Sequence, residues 1–125
     1  MTKKITIAID AMGGENAPYK NIEGIKLFLD KNKSNDYFFN IYGDEKIIKD
    51  EIQKNKIDEK SIKIFSTLSV VSDEETPLTA LKSSKDSSMW NSINSQKNDK
   101  ADISLSAGNT GVLFVISRMI LKTID

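Results

Sequence analysis

Ile5-Thr6-Ile7-Ala8-Ile9-Asp10, followed by Ala11-Met12-Gly13-Gly14-Glu15-Asn16-Ala17-Pro18, is the stretch that decides the fold. Its first half is apolar with few polar breaks, as in a strand whose sheet is covered by helices on both faces. The glycine pair marks a turn. Pro18 suits the first turn of a helix, where its missing N–H costs nothing. Ile22, Ile25, Phe28 and Leu29 then fall on one face at helical spacing, as far as about Asn32. A strand, a glycine turn and an amphipathic helix, in that order, open a parallel α/β sheet.

The alternation continues along the chain. Tyr37 to Tyr42 reads as a second strand, closed by Gly43-Asp44, with Asp44 as N-cap of a helix carrying Ile47, Ile48 and Ile52. Ser61 to Phe65 reads as a third strand, and the polar segment Ser66 to Thr76 predicts a long loop. Two helical pieces follow, at about Pro77 to Ser83 and Ser87 to Gln96. Ala101 to Ser106 predicts a fourth strand, and Ala107-Gly108-Asn109-Thr110-Gly111 a second glycine turn. The last helix, Val112 to Leu121, is almost wholly apolar and is expected to be buried. This order predicts one α/β domain over 1–125, with a mainly parallel sheet between helical layers. An apolar last helix needs a covering layer, so the fold is expected to be truncated at Asp125.

Lysine and arginine together number 18, as do aspartate and glutamate, so the net charge is zero. No broad field favours nucleic acid, and any anion site must be local. The apolar fraction of 38% with 29% charge fits a globular chain. Cysteine and histidine are absent, which excludes thiolate nucleophiles, disulfides, Cys/His zinc sites and Ser-His catalysis within this chain. The acidic run Asp73-Glu74-Glu75 reads as a solvated loop, and no metal site is expected. The apolar run after Lys4 is too short for a signal peptide, and Val112 to Ile116 is too short to span a bilayer. The expected location is the cytoplasm.

The two glycine turns share a property. Each joins the C-terminal end of a strand to a helix, the edge where ligands bind in open α/β sheets. Glycine lets backbone approach a ligand closely, and a helix N-terminus offers free N–H groups and partial positive charge, which suits phosphate. Ser106, Asn109 and Thr110 add neutral donors. A third segment, Ser84-Lys85-Asp86-Ser87-Ser88-Met89, places Lys85 before a helix start with Asp86 as cap and the hydroxyls of Ser87 and Ser88 in its first turn. Taken singly, each segment has a plainer reading as a backbone turn or a capped helix. None is a P-loop or a dinucleotide fingerprint.

Together the three segments resemble the signatures of the PlsX family, the acyl-acyl-carrier-protein:phosphate acyltransferases of bacterial phospholipid synthesis. Ile9 to Pro18 resembles the N-terminal signature. Ala80 to Met89 resembles the lysine-aspartate-serine-serine segment. Ala101-Asp102 with Ser106 to Gly111 resembles the third, in the same order along the chain. Glu15 stands where the family commonly has aspartate, and Ser84-Lys85 where it often has a basic pair.

The resemblance implies a Rossmann-like three-layer α/β/α fold and a homodimer. It implies acyl transfer from acyl-carrier-protein to inorganic phosphate without a cofactor, and peripheral association with the inner membrane face. Phosphate is itself the nucleophile, so no serine or cysteine nucleophile is needed. On this reading Lys85 is the counter-charge, Asn109 a donor and Asp10 an orienting group. Ser87, Ser88, Ser106, Gly108, Thr110 and Gly111 line the phosphate, and Gly13, Gly14 and Asn16 form the opposite wall. Two alternatives stay open at this point: an inactive N-terminal fragment, and a phosphotransacetylase-like enzyme using acyl-coenzyme A.

Overall fold

The computed structural model describes residues 4–122. The ends of the expected domain, residues 1–3 and 123–125, lie outside the described residues. Strands β1 (Ile5–Asp10), β2 (Tyr37–Gly43), β3 (Ile62–Ser66) and β4 (Ile103–Ser106) alternate with helices α1 (Tyr19–Lys31), α2 (Glu45–Lys54), α3 (Pro77–Ser83), α4 (Ser88–Lys97) and α5 (Thr110–Leu121). The strands form one sheet in the order β3-β2-β1-β4, and every pairing is parallel. This is the parallel α/β arrangement expected from the alternation, and it has the Rossmann-like form that the family resemblance implies.

Two layers of helix cover the sheet. On one face, Ile7, Phe39 and Ile41 of the strands meet Ile22 and Ile25 of α1 and Ile48 and Ile52 of α2. On the other, α4 lies over β1, β2 and β4, α5 packs beside it, and α3 packs against α5. Met89, Ile93, Val112 and Ile116 form the core of that side. The α4 face turned inward also carries Ser88, Ser92 and Ser95, all buried. Small side chains there bring the helix close to the strands.

Caps define most helix starts. The Asp44 carboxylate accepts the N–H groups of Lys46 and Ile47, as the sequence predicts. Ser87, not Asp86, caps α4, by accepting the Trp90 N–H at 3.1 Å. Asp86 is drawn away because its carboxylate accepts the Ser69 hydroxyl at 2.6 Å. Pro18 sits at the N-cap of α1 after a cis Ala17–Pro18 bond.

Two further expectations are corrected. The fourth strand begins at Ile103 rather than Ala101, because the Thr6 N–H is taken by the Asp102 side chain at 2.9 Å. The last helix begins at Thr110, and it is buried on one flank only. Val112, Ile116 and Ile120 pack inward, while Phe114 is 67% exposed and Met119 52%. Helices α3 and α4 cover one side of it, and no described residue covers the other.

Candidate active site at the switch point of the sheet

The chain runs outward from β1 through β2 to β3, then crosses back to lay β4 on the other side of β1. Adjacent strands β1 and β4 therefore lead away in opposite directions. Their C-terminal ends flank the crevice where open α/β sheets bind ligands. The Asp10 turn and the Ser106 turn are the loops that leave those ends.

Register decides what faces the crevice. Asp10 pairs with Ser106, and Ile7 with Ile103. Side chains alternate along a strand, so the side that packs Ile7 against α1 and α2 is opposite the side that carries Asp10 and Ser106. Asp10 and Ser106 thus point together toward α4. The Asp10 carboxylate is 1% exposed. It accepts the Ser88 hydroxyl at 2.5 Å, the Ser106 hydroxyl at 2.8 Å and the Met12 N–H at 3.2 Å. Ser106 in turn accepts the Gly108 N–H at 3.1 Å. One carboxylate therefore ties together all three segments singled out in the sequence.

No cation pairs with this carboxylate among the described residues. Burial pushes its pKa above the ordinary 3.8, against the opposing pull of the Ser88 and Ser106 hydroxyls and the Met12 and Gly13 N–H groups. Two serine hydroxyls that donate to Asp10 are not free to donate elsewhere while it is ionised.

The two glycine turns touch. A Cβ on Gly13 would stand 2.6 Å from the Asp10 carboxylate and 3.0 Å from the Gly108 nitrogen. Gly14, at φ +95°, packs against Ala107, where a Cβ would meet the carbonyl oxygen at 3.0 Å. Asn21 of α1, which sequence reading passed over, braces the first turn by donating to the Ala11 carbonyl at 2.8 Å and the Gly13 carbonyl at 2.9 Å. Its only sequence signal is a polar residue beside the apolar helix face.

At the second turn the Asn109 side chain caps α5, accepting the Val112 N–H at 3.2 Å. Its amide nitrogen faces the loop 67–76, within hydrogen-bond distance of the carbonyls of Ser72 (3.1 Å), Asp73 (3.3 Å) and Glu75 (2.8 Å). Among the described residues the backbone N–H groups of Thr110 and Gly111 bond no protein acceptor, as expected in the first turn of a helix. Thr110 is exposed there. Gly111 differs from the other site glycines, because a Cβ on it would meet nothing nearer than 3.6 Å.

The remaining expected residues lie around this centre. Ser87 and Ser88 are buried beneath it, one as the α4 cap and the other on Asp10. Asn16 is exposed in the first turn with φ 59°. Lys85 is exposed, with its ammonium 6.0 Å from the centre of the Trp90 ring, and among the described residues it bonds neither glycine turn. The described residues contain no group of three or more His, Cys, Asp or Glu placed to hold a metal ion. No helix among them is long and apolar enough to cross a membrane. The arrangement offers free N–H donors and glycine-bare backbone over a rigid, buried carboxylate, which suits a small oxyanion.

The sequence pattern of a family described as "Fatty acid synthesis protein" matches residues 5–125. The chain is 43% identical over 125 residues to a phosphate acyltransferase of Pelagibacter ubique, covering all of this chain and 36% of the relative. It is 39% identical over 120 residues to a phosphate acyltransferase of Magnetococcus marinus, covering 96% of this chain and 34% of the relative. It is 42% identical over 124 residues to one of Oenococcus oeni, covering 95% and 34%. The chain thus spans about a third of the length of these curated relatives.

Proposed function

The chain belongs to the fatty acid synthesis protein family, and on that premise we propose that its protein transfers a long-chain acyl group from acyl-carrier-protein to inorganic phosphate. A phosphate oxygen attacks the thioester carbonyl, and the carbon–sulfur bond breaks. The sulfur leaves as a thiol with the proton that phosphate gives up, and the product is an acyl-phosphate for phospholipid synthesis. The observation that carries this reading is the contact of the two glycine turns over Asp10, beside the free N–H groups of α5.

In this reading the N–H groups of Thr110 and Gly111, the Thr110 hydroxyl and the positive end of α5 hold the phosphate. Gly13, Gly14 and Gly108 keep side chains out of its way, with Asn16 on the opposite wall. Asp10 orients the floor by fixing Ser88 and Ser106, and through Ser106 the Gly108 N–H. Lys85, exposed just before α4, supplies a cation that can turn toward the bound anion. Holding phosphate against the carbonyl and stabilising the tetrahedral oxyanion supply the catalysis. A homodimer, a cytoplasmic location and contact with the inner membrane face belong to the same proposal, on the strength of the family resemblance.

The test is incorporation of radioactive phosphate into organic-extractable acyl-phosphate, with palmitoyl-acyl-carrier-protein as donor. Labelled product from that donor is expected. No product from it would overturn the reading, and product from palmitoyl-coenzyme A alone would favour a phosphotransacetylase-like enzyme.

A further inference from the structure

The Asn109 side chain is the most heavily engaged polar group at the second turn, and its partners are not where a phosphate donor would find them. Its amide nitrogen faces three carbonyls of one loop, at Ser72, Asp73 and Glu75. Its amide oxygen caps α5 through the Val112 N–H. An amide nitrogen has two hydrogens, so three nearby carbonyls leave it no donor for a further ligand. The other end of the loop is fastened as well. The N–H groups of Leu68 and Ser69 donate to the Asp86 carbonyl, the Ser69 hydroxyl to the Asp86 carboxylate, and the Ser88 N–H to the Ser69 carbonyl. The loop thus runs from the head of α4 to the head of α5. It then enters α3 at Pro77, whose Cγ lies 3.6 Å from where a Cβ on Gly111 would stand.

We propose that Asn109 is a positioning residue that clamps the loop 67–76 onto the N-terminus of α5 as a wall of the phosphate site, rather than a direct phosphate donor. The inference rests on the phosphate-site reading for its functional consequence, but the clamp itself does not. When the three carbonyls lose their donor they face one another or water, and the loop detaches from its anchor near Gly111. The Thr110 and Gly111 N–H groups then lose a neighbouring wall while α5 stays capped.

Two substitutions separate the cap from the clamp. Asn109→Asp and Asn109→Ser both keep an oxygen able to cap α5. Neither supplies an amide donor to the loop, and the serine variant adds no charge that would repel phosphate. The loop readout is glutamyl endopeptidase cleavage after Glu74 and Glu75 in the intact native protein, relative to cleavage at Glu45 and Glu59. Both variants should be cut at the loop about tenfold faster than wild type, a change equivalent to about 1.4 kcal/mol of lost local protection. The functional readout is acyl-phosphate formation across phosphate concentrations. Asn109→Ser should raise the half-saturating phosphate while changing the maximal rate less, and Asn109→Gln should restore neither property fully because its longer stem displaces the cap. Loop cleavage at the wild-type rate in both variants overturns the clamp, whatever the activity. A raised half-saturating phosphate in Asn109→Ser with an unloosened loop assigns Asn109 to direct phosphate binding and also overturns it. If the wild-type protein forms no acyl-phosphate, the functional reading fails while the cleavage rates still decide the clamp.

Discussion

Asp10 is the residue on which the candidate site turns, and its burial has a measurable consequence. Because desolvation raises its folded pKa, the native state holds this proton more tightly than the unfolded chain does. The resulting stability is fully present below the ordinary value of 3.8 and is lost as pH rises through the raised folded value. Relative to Asp10→Asn, the wild type should therefore lose stability as pH rises above 3.8, as read by urea unfolding at several pH values. A wild type that gains on the variant over that range would contradict the assignment. Gly13→Ala places a methyl 2.6 Å from the same carboxylate and should destabilise by about 1–3 kcal/mol, measured by the same unfolding. Asp10 and the glycines were legible because strand-end position and residue type alone mark them. The engagement of Asn109 with the loop was not, since its partners lie 34 to 37 residues away and are backbone carbonyls without sequence identity.

Helix starts carry the site at the next scale. Ser87 caps α4 from a buried position, and α4 delivers Ser88 to Asp10. Ser87→Ala should cost about 1 kcal/mol as a lost cap, and more if the empty space is left dry, by thermal or chemical unfolding. Loss of stability below a few tenths of a kcal/mol would place the α4 start elsewhere. The sequence alone points to Asp86 as the cap, although Asp and Ser are about equally good cap residues. Tertiary structure chooses, because the loop strand at Ser69 bonds Asp86 and leaves Ser87 for the helix. Elsewhere the period of the apolar residues located α1, α2 and α5 to within a few positions, since their inward faces follow the helical repeat.

At the scale of the molecule, β4 and α5 each leave an apolar surface uncovered by the described residues. Ile103 (45% exposed) and Leu105 (50%) of β4 extend the α1–α2 face of the sheet, and Phe114 and Met119 line the outer flank of α5. A shallow apolar groove there is lined by Leu113, Phe114, Arg118 and Leu121. The 125-residue chain by itself should self-associate in sedimentation, and Phe114→Lys should shift it toward monomer. A monodisperse wild-type monomer would contradict this. The apolar composition of α5 announced a helix that wants cover, but composition cannot say which flank receives it. That depends on where α3 and α4 pack.

Phosphate binding at the head of α5 is tested most directly at Gly111. A Cβ there would meet only ordinary contacts, none nearer than 3.6 Å, alanine is the better helix former, and the Cα–Cβ bond of a helix leans toward its N-terminus, here toward the anion. The measurement is the phosphate dependence of acyl-phosphate formation by Gly111→Ala, beside its unfolding midpoint. Unchanged or slightly raised stability is expected, with half-saturating phosphate increased about tenfold, equivalent to about 1.4 kcal/mol of binding. Wild-type phosphate dependence in this well-folded variant would contradict it.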